Sequence, residues 1–428
     1  MQIHVVKPGQ TLFSIAQTYS VGVDRIIQTN QLPNPNNLVT GQALVIPIIG
    51  SYHFVQQGDS LYTISEKASI PYEQIVRANG ISPATQLTIN TRLYIPARQK
   101  TTAEFVGYVE SRDETVSKAL EASAIESAPY LTHLAPFSFQ ALRNGSLKEP
   151  MLSNFSDIAR DNRTIFMMVI NNLENGQFSD ELSHILLNNT SVQNKLLNNI
   201  TATAQKYNFK HIHFDFEYLR STDREAYNQF LRKAKERFHK EDWFLSTSLA
   251  PKTNREQKGR WYEGHDYKSH GEIVDMVVIM PYEWGYSRGP AMAVSPIGPV
   301  RQVLEYAVSE MPSKKILMGH NPYGYDWALP FVQGSTAKAI SPQRAIQIAA
   351  ANQAVIEYDE KAQAPFFHYE DPTKEKHEVW FEDARSIQAK FDLLKELNLR
   401  GMSYWKLGLS FPQNWLLISD NFNVRKRS

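Results

Sequence analysis

The 428-residue chain contains no cysteine, and this absence removes several kinds of chemistry at once. Disulfide bonds, zinc sites with thiolate ligands and cysteine nucleophiles are all excluded. Net charge is lacking too, because 45 Lys and Arg residues stand against 44 Asp and Glu residues, for a formal charge of +1. The chain therefore lacks the excess of positive charge that is typical of nucleic-acid-binding proteins, and we expect no nucleic-acid partner.

Long apolar runs and a secretory leader are missing as well. The stretch ALVIPIIG at 43–50 is among the longest apolar runs, and a membrane span needs about 20 such residues. The first residues, MQIHVVKPGQTLFSIAQ, show no basic segment followed by an apolar one. We therefore expect no membrane insertion and see no signal peptide. The length itself predicts two or three domains.

A repeat fills the first hundred residues. Residues 3–47 align with 52–96 at a constant offset, so that HVVKPGQTLFSIA matches HFVQQGDSLYTIS and LVTGQALVIP matches LTINTRLYIP. Each copy is typical of a strand, a glycine turn, two short helices and a second strand, with Thr11 or Ser60 at a helix N-cap. A unit this small buries little core, which favours a binding module over an enzyme.

The repeated pattern resembles the LysM module, a family that binds polymers containing N-acetylglucosamine, such as chitin or peptidoglycan. We assign module 1 to residues 1–48 and module 2 to residues 50–98. The resemblance implies a glycan groove between the loop after the first strand and the loop after the second helix. A purely structural role in turns or packing is an equal alternative for each single residue. The implied groove residues are Gly9, Gln10, Thr11, Asn30 and Leu32 in module 1, and Gly58, Asp59, Ser60, Asn79 and Ile81 in module 2.

Strand-like and helix-like segments alternate through residues 104–428. Eight such units in about 325 residues predict an α/β fold of the TIM (β/α)8 barrel type. A doubly wound sheet is the alternative, but no glycine-rich phosphate turn follows the first strand. A helix-like stretch and two paired strand-like stretches indicate a small α+β insertion at about 328–381.

The segment HIHFDFEYL at 211–219 has polar residues at every second position. As a strand it would place His211, His213, Asp215 and Glu217 on one face, near the strand end where TIM barrels carry their chemistry. Residues two apart on a strand are about 6.6 Å apart along its axis, so both carboxyls could meet one substrate. Two neighbouring carboxylates repel each other, which raises the pKa of one of them. That carboxyl group then keeps its proton near neutral pH and can act as a general acid. The alternative is a solvated face or a structural ion pair.

The same segment resembles the catalytic strand of glycoside hydrolase family 18, whose signature is D-x-x-D-x-D-x-E. The final D-x-E is present as Asp215 and Glu217. IMPYEW at 279–284 resembles the family's Met-x-Tyr-Asp strand, and MGHNPYGYDW at 318–327 resembles its seventh strand. Trp405 matches the tryptophan at the floor of the family's sugar site. The resemblance extends over nearly all of the chain beyond residue 103.

This resemblance implies substrate-assisted retaining catalysis, which requires neither an enzyme nucleophile nor a cofactor. Glu217 would protonate the leaving oxygen while the substrate's own 2-acetamido carbonyl attacks the anomeric carbon. Asp215 would orient the acetamido group, and Tyr282 would hydrogen-bond its oxygen. Met280 and Trp405 are substrate contacts or, equally, core residues. The implied substrate-binding residues are Met280, Glu283, Trp284, Tyr325, Trp327, Trp405, Asn172 and His213.

Two carboxylates of the family signature are absent, since Lys210 and His213 stand in their places. The family's Ser-x-Gly-Gly is also replaced, by VINNL with Asn172. We predict that His213 tunes Asp215, either by a hydrogen bond or, when protonated, by its charge. We expect no metal site there, because tight metal sites need three or four convergent ligands.

Two LysM modules followed by this barrel resemble the domain order of bacterial enzymes that degrade the spore cortex during germination. We therefore interpret the chain as a spore-associated, monomeric N-acetylglucosaminidase that acts on peptidoglycan. One alternative is a chitinase for exogenous chitin. The other is an inactive glycan-binding spore coat protein, which the retained Glu217 argues against.

Overall fold

The computed structural model describes residues 1–111 and 115–426. Its centre is a closed barrel of eight parallel strands, β1 to β8, in which each strand pairs with the next and β8 pairs with β1. The closed parallel barrel confirms the predicted TIM fold. In chain order the strands are Thr101–Glu110, His133–Phe137, Ile165–Asn171, His211–Asp215, Phe244–Leu249, Met276–Ile279, Ile316–His320 and Gly401–Tyr404.

Amphipathic helices cover the outside of the barrel. The helix Arg224–His239 shows why, because it buries Tyr227, Phe230, Leu231 and Phe238 at helical spacing and leaves its charged residues outside. No helix of the described residues is both long and apolar enough to cross a membrane. The other helices are Lys118–Ser127, Phe155–Asp161, Asp180–Asn188, Thr190–Tyr207, Tyr267–Ile273, Ile297–Glu310, Ala384–Glu396 and Pro412–Asn421, with 3-10 turns at Ala128–Tyr130, Ser221–Asp223 and Ser313–Lys315.

Short strands extend the barrel at its rims. One antiparallel pair and one hairpin lie beyond the carboxyl ends of β2 and β3, and a last strand pairs with the start of β1. These strands are Phe139–Ala141, Leu147–Lys148, Leu173–Glu174, Gln177–Phe178 and Phe422–Val424.

A separate five-stranded sheet and one helix lie between β7 and β8. This layer has its own apolar core, which includes Phe367, Val379 and Phe381. The sheet therefore occupies the part of the chain where the insertion is predicted, although its first strand already begins at Gly324. Its strands are Gly324–Leu329, Lys338–Ile340, Glu357–Asp359, Ala364–Glu370 and Lys376–Trp380, and its helix is Pro342–Ala351.

The two repeated units have the same strand–helix–helix–strand order. In each, the first helix starts with a capping box, in which the Thr11 or Ser60 side chain accepts a hydrogen bond from the backbone of Ser14 or Thr63. Unit 1 consists of strands Gln2–Val5 and Ala43–Ile46 and helices Leu12–Tyr19 and Val23–Asn30. Unit 2 consists of strands Ser51–Phe54 and Arg92–Ile95 and helices Leu61–Ala68 and Tyr72–Asn79.

Unit 1 packs closely on the barrel domain. Ala43 and Val45 belong to the large apolar core of the barrel and its helices. Gln413 of the last barrel helix donates to the side chain of Asn30 and to the carbonyl of Ala43, at 3.0 and 3.1 Å. Unit 2 has its own core, and within residues 1–111 and 115–426 it is unit 1 that contributes residues to the barrel core.

Candidate active site

A pocket of about 290 Å³ opens at the carboxyl ends of the barrel strands. Asp215 at the end of β4 and Glu217 two residues later line it, together with Met280, Tyr282 and Trp405. The structure therefore brings together five residues that the sequence singles out. All five reach this end because parallel strands of a barrel end on the same side.

Glu217 is held at both its backbone and its carboxyl group. The backbone N–H donates to Oδ1 of Asn172 at 3.0 Å, and Nδ2 of Asn172 donates to the Glu217 carbonyl at 2.8 Å. The indole N–H of Trp261 donates to Oε2 of Glu217 at 2.6 Å. Burial, and then the charge of Asp215, raise the pKa of Glu217 well above its usual value, which outweighs the opposite effect of Trp261. Glu217 is therefore suited to keep a proton near neutral pH.

Asn172 does not contact the pocket, which corrects its prediction as a substrate-binding residue. Its side chain is completely buried, and its amide also donates to the hydroxyl of Ser183 at 2.7 Å. Both polar atoms of the amide are thus used within the protein. Asn172 therefore holds the backbone of Glu217 in place and does not contact the substrate pocket.

Asp215 is buried but less protonated than Glu217. Burial raises its pKa to about 6, and the hydroxyl of Ser248 acts in the opposite direction. Its Oδ1 atom has no hydrogen-bond partner among the residues that the structure describes. Two neighbouring carboxyls with pKa values pushed apart provide one acid and one carboxylate at neutral pH.

Tyr282 faces both carboxyls. Burial, followed by the charges of Glu217 and Asp215, raises the pKa of its hydroxyl well above the usual value, so the hydroxyl stays a donor. The position of the ring depends on Gly319 of β7, where a Cβ atom would lie 2.9 Å from the ring and 2.6 Å from the Ile279 carbonyl. Any larger residue at that point would push Tyr282 out of place.

Trp405 forms one wall of the pocket with two other aromatic rings. Its ring centroid is 4.5 Å from that of Phe137 and 5.8 Å from that of Tyr108, both in edge-on geometry. Lys406, the next residue, forms an ion pair with Glu110 at the pocket rim. An apolar wall beside charged groups suits a sugar, which has apolar ring faces and polar edges.

Glu283 belongs to the pocket but is already hydrogen-bonded to tyrosines. The hydroxyl of Tyr323 donates to its carboxylate, and so does that of Tyr325 at 3.1 Å. Burial raises the pKa of Glu283, although the two hydroxyls act against this. Tyr325 therefore supports Glu283 and is not an open stacking platform.

Two predicted sugar-stacking tryptophans lie elsewhere. Trp327 is 2% exposed, and its indole N–H donates to the Gly289 carbonyl at 2.9 Å. It lies on the first strand of the insertion sheet and packs in a small core with Tyr325 and Trp380. Trp284 packs against the main core of the barrel and does not line the pocket. Neither ring is placed to stack on a sugar in the pocket.

His213 is neutral and does not touch Asp215. Burial lowers its pKa to about 3, so the charged form proposed as one way of tuning Asp215 is ruled out near neutral pH. Its Nδ1 and Nε2 atoms lie 2.7 and 2.8 Å from the hydroxyls of Ser246 and Ser248. The predicted direct contact with Asp215 is thus replaced by one through Ser248.

Sequence reasoning missed the aromatic column beside Glu217. The rings of Phe178, Tyr218 and Trp261 stack in series, with centroid separations of 6.4 and 6.1 Å. Tyr218 is 41% exposed because its φ of +57° turns the chain after β4. Trp261 lies in the long irregular stretch between β5 and the next helix, and loops of that length are often functional.

In the two repeated units, most of the predicted groove residues have structural hydrogen bonds. Gln10 and Asp59 accept the backbone N–H three residues earlier, at 2.8 Å in both units. Hydrogen bonds from Gln56 and His53 lower the pKa of Asp59 to about 2. Gly9 and Gly58 adopt φ values of +76° and +85°, as their turns require.

Asn30 is fully buried, which corrects its prediction as a glycan contact. It donates to the carbonyls of Ile26 and Val45 and accepts from the Val45 N–H. Asn79 makes the equivalent three bonds in unit 2 but is only partly buried. Leu32 is 9% exposed, and Ile81 packs against the core of unit 2, so the open part of each groove is the loop around Gly9 or Gly58.

Phe13 and Tyr62 are large exposed rings that follow these loops, 64% and 69% exposed. They occupy equivalent positions of the repeat, next to the capping residues Thr11 and Ser60. The repeat alignment contains the signal, because the buried positions of the helix leave this aromatic residue on the outer side in both copies. An exposed ring beside an open groove suits the apolar face of a sugar.

Metal-ligating groups converge at one place within residues 1–111 and 115–426. Asp371, Glu375 and His377 have ligand atoms within 4.8 Å of one another, at a turn of the insertion sheet. This turn is not part of the pocket. The pocket residues can perform acid–base chemistry without a metal ion.

The chain matches known families and proteins along its whole length. Residues 104–409 match the family described as glycosyl hydrolases family 18, and residues 4–47 and 53–96 match the LysM domain. The chain is 62% identical to the Cortical fragment-lytic enzyme of Bacillus subtilis (strain 168), over 100% of both chains. Crystal structures of the spore cortex-lytic enzyme SleL from Bacillus megaterium QM B1551 and Bacillus cereus match with TM-scores of 0.91 and 0.92, at 55% and 46% identity, over 100% of this chain and 99% of theirs.

Proposed function

We propose that this chain, which belongs to family 18 of the glycosyl hydrolases, cleaves N-acetylglucosamine linkages in fragments of spore cortex peptidoglycan. The observation that carries the proposal is the pair Asp215 and Glu217, buried side by side in a pocket with raised pKa values. The names of the full-length relatives support the substrate and a spore-associated location. The two LysM domains bind glycan chains that contain N-acetylglucosamine and keep the barrel on its polymer.

The first chemical step needs a proton for the leaving sugar, and Glu217 supplies it. The indole N–H of Trp261 can only donate, so Oε2 of Glu217 must accept. The proton is therefore carried on Oε1, the oxygen that Trp261 leaves free. Protonation of the glycosidic oxygen by Oε1 lets the bond to the anomeric carbon break.

The nucleophile in this step is the carbonyl oxygen of the substrate's own 2-acetamido group. Ionised Asp215 accepts the acetamido N–H through Oδ1, the atom that lacks a partner in the free protein. This holds the carbonyl against the anomeric carbon and stabilises the positive charge of the cyclic oxazolinium intermediate. The Tyr282 hydroxyl hydrogen-bonds the acetamido oxygen.

The second step reverses the proton transfer. Glu217, now ionised, takes a proton from a water molecule, and the hydroxyl opens the ring intermediate with overall retention of configuration. Asp215 and Tyr282 keep the acetamido group in place meanwhile. The same carboxyl is thus acid and then base, which its position between Trp261 and the pocket allows in both steps.

Glu217→Gln tests the acid. Gln keeps the size and can still accept from Trp261, but it has no proton to give, so we expect the release of reducing ends from cortex fragments to fall roughly 10²–10⁴-fold. Glu256→Gln, the same change at an exposed loop position, is the control and should keep the wild-type rate.

Mass spectrometry of the products identifies the cleaved linkage, and chitin oligosaccharides in parallel assays test the chitinase alternative. Wild-type turnover by the Glu217→Gln protein would refute the catalytic proposal. Faster turnover of chitin oligosaccharides than of cortex fragments would refute the proposed substrate.

A further inference from the structure

A file of polar side chains runs down the inside of the barrel from the catalytic pocket, and we call it the axial chain. The hydroxyl of Ser248 lowers the pKa of Asp215 and lies 2.8 Å from Nε2 of His213, an atom that is also 3.3 Å from the hydroxyl of Tyr108. Nδ1 of His213 lies 2.7 Å from the hydroxyl of Ser246, which lies 2.6 Å from Nε2 of His211. Every member is at least 95% buried.

The alternation of two neighbouring strands produces this file. On β4, His211, His213 and Asp215 point inwards, and on β5 Ser246 and Ser248 do the same, because side chains of a strand alternate between faces. His213 is the register partner of Ser246. The hydroxyls therefore fall beside the imidazoles, and one unbroken polar line forms inside the barrel.

The charge of Asp215 fixes the direction of every hydrogen bond in the chain. Burial lowers the pKa of both imidazoles, to about 3 for His213, so each has a single N–H, and each hydroxyl has a single O–H. Ionised Asp215 can only accept, so Ser248 donates to it and accepts from Nε2–H of His213. Nδ1 of His213 then accepts from Ser246, which accepts from Nε2–H of His211. The last atom, Nδ1 of His211, keeps a lone pair, and it has no partner in the described part of the chain.

We propose that Ser246, His213 and Ser248 are positioning residues that hold the Asp215 carboxylate through the axial chain. The proposal rests on the role of Asp215 in the proposed function. The chain keeps the proton of His213 on Nε2, and this keeps the Ser248 hydroxyl turned towards Asp215. Neutral His213 can therefore orient the Asp215 carboxylate through Ser248 without contacting it.

Other ionisable groups also act on the axial chain, and they are the same in wild type and variants. They come from six segments around the barrel, so the effect of a change in the axial chain can be separated from theirs. These groups are Tyr108 of β1, His133 of β2, Glu217 after β4, Tyr227 of the helix Arg224–His239 and Tyr282 after β6, with Arg400 before β8 acting on His211.

Ser246→Ala cuts the axial chain at a residue that touches neither Asp215 nor the pocket. Nδ1 of His213 loses its donor, so the ring is no longer held from both sides and its Nε2–H donates less well to Ser248. The Ser248 hydroxyl is then less well oriented towards Asp215, and the pKa of Asp215 rises. We expect the acid limb of the kcat/KM profile to move to higher pH by about half a unit or more, with the alkaline limb unchanged. Nitrogen-15 NMR should show His213 still as the Nε2–H tautomer, with its Nδ1 resonance shifted to that of a ring nitrogen that accepts no hydrogen bond.

Thr247→Ala is the matched control, because it removes a buried hydroxyl one residue away on the same strand. That hydroxyl bonds to Nδ1 of His270 at 3.0 Å, on the outer face of the barrel. We expect Thr247→Ala to alter neither the acid limb nor the Nδ1 resonance of His213, even if both variants lose similar stability in thermal melts.

Two results would overturn the proposal: an unchanged acid limb in Ser246→Ala, or an equal shift of the acid limb in Thr247→Ala. Glu217→Gln separates this outcome from a failure of the proposed function. If Glu217→Gln is inactive while Ser246→Ala behaves like wild type, only the axial chain is refuted.

Discussion

The buried polar side chains of the LysM domains make more hydrogen bonds within the protein than the carboxyl groups of the barrel pocket do. Asn30 and Asn79 each make three hydrogen bonds to backbone groups and thereby tie a helix to a strand. In the pocket, Oδ1 of buried Asp215 has no partner among the described residues, and the carboxyl of Glu217 accepts from Trp261.

This difference separates structural from chemical residues. A buried polar group without partners costs free energy, so a protein keeps one only where the group is needed for something else. Saturated side chains such as Asn30 stabilise the fold, whereas Asp215 destabilises the free protein and gains its partner from the substrate. Mutations in the two regions should therefore have opposite effects on stability.

The largest effect is expected from Asp215→Asn. The rate should fall by roughly 10³-fold, because the amide cannot accept the acetamido N–H with a charge or stabilise the oxazolinium ion. The stability should rise. The pKa of about 6 in the folded state exceeds the unfolded value of about 3.9, so ionised Asp215 costs about 3 kcal/mol above pH 6 and nothing below pH 4.

The stability gain of Asp215→Asn, measured by urea unfolding, should thus be full at pH 7–8 and should vanish as the pH falls towards 4. Asp223→Asn is the control, since this buried carboxylate is bonded to His184 and Asn188. It should lose stability and keep its rate per folded molecule. If the Asp215→Asn protein were less stable than wild type at pH 8, ionised Asp215 would not destabilise the folded protein, and the contrast with Asn30 would be wrong.

A smaller effect is expected from Asn30→Ala and Asn79→Ala, which should lose stability and keep catalysis. Asn79→Ala removes three hydrogen bonds and Asn30→Ala removes four, and the loss should reach about 2–3 kcal/mol at the buried Asn30. Asn79→Ala should lose less, because Asn79 is partly exposed and, within the described residues, has no barrel partner equivalent to Gln413. Urea unfolding measures the difference, and hydrolysis of soluble fragments should proceed at the wild-type rate. Equal losses in both variants would contradict the closer packing of the first LysM domain.

The sequence predicts the barrel and the catalytic pair because both follow from regular spacing. Eight strand–helix units imply the barrel, and the inward face of β4 places Asp215 near Glu217. The strict repeat likewise predicts the capping roles of Thr11 and Ser60. The spacing of polar and apolar residues predicts which way a side chain points. For Asp215 and the two capping residues, that direction determines whether the side chain faces the pocket or caps a helix.

The partners of a side chain are harder to predict, since they come from distant segments. Asn172 lies in the pattern where a substrate contact is expected, yet its bonds to Glu217 join residues 45 positions apart. Trp327 lies on the first strand of the insertion sheet and is buried in a small core with side chains from another strand of that sheet. Trp261 reaches Glu217 from an irregular loop, where no periodicity applies.

The smallest effect is expected from Trp261→Phe, which keeps an aromatic ring and removes the donor to Glu217. The N–H favours the ionised carboxyl, so its loss should raise the pKa of Glu217 further and move the alkaline limb of kcat/KM to higher pH. The rate at the optimum should fall about tenfold, because Oε1 is less well aimed. Trp415→Phe, which changes a ring of the barrel core that packs against Tyr130 and Tyr404, should move neither limb. A slower Trp261→Phe enzyme with an unshifted alkaline limb would mean that Trp261 shapes the pocket without affecting the pKa of Glu217.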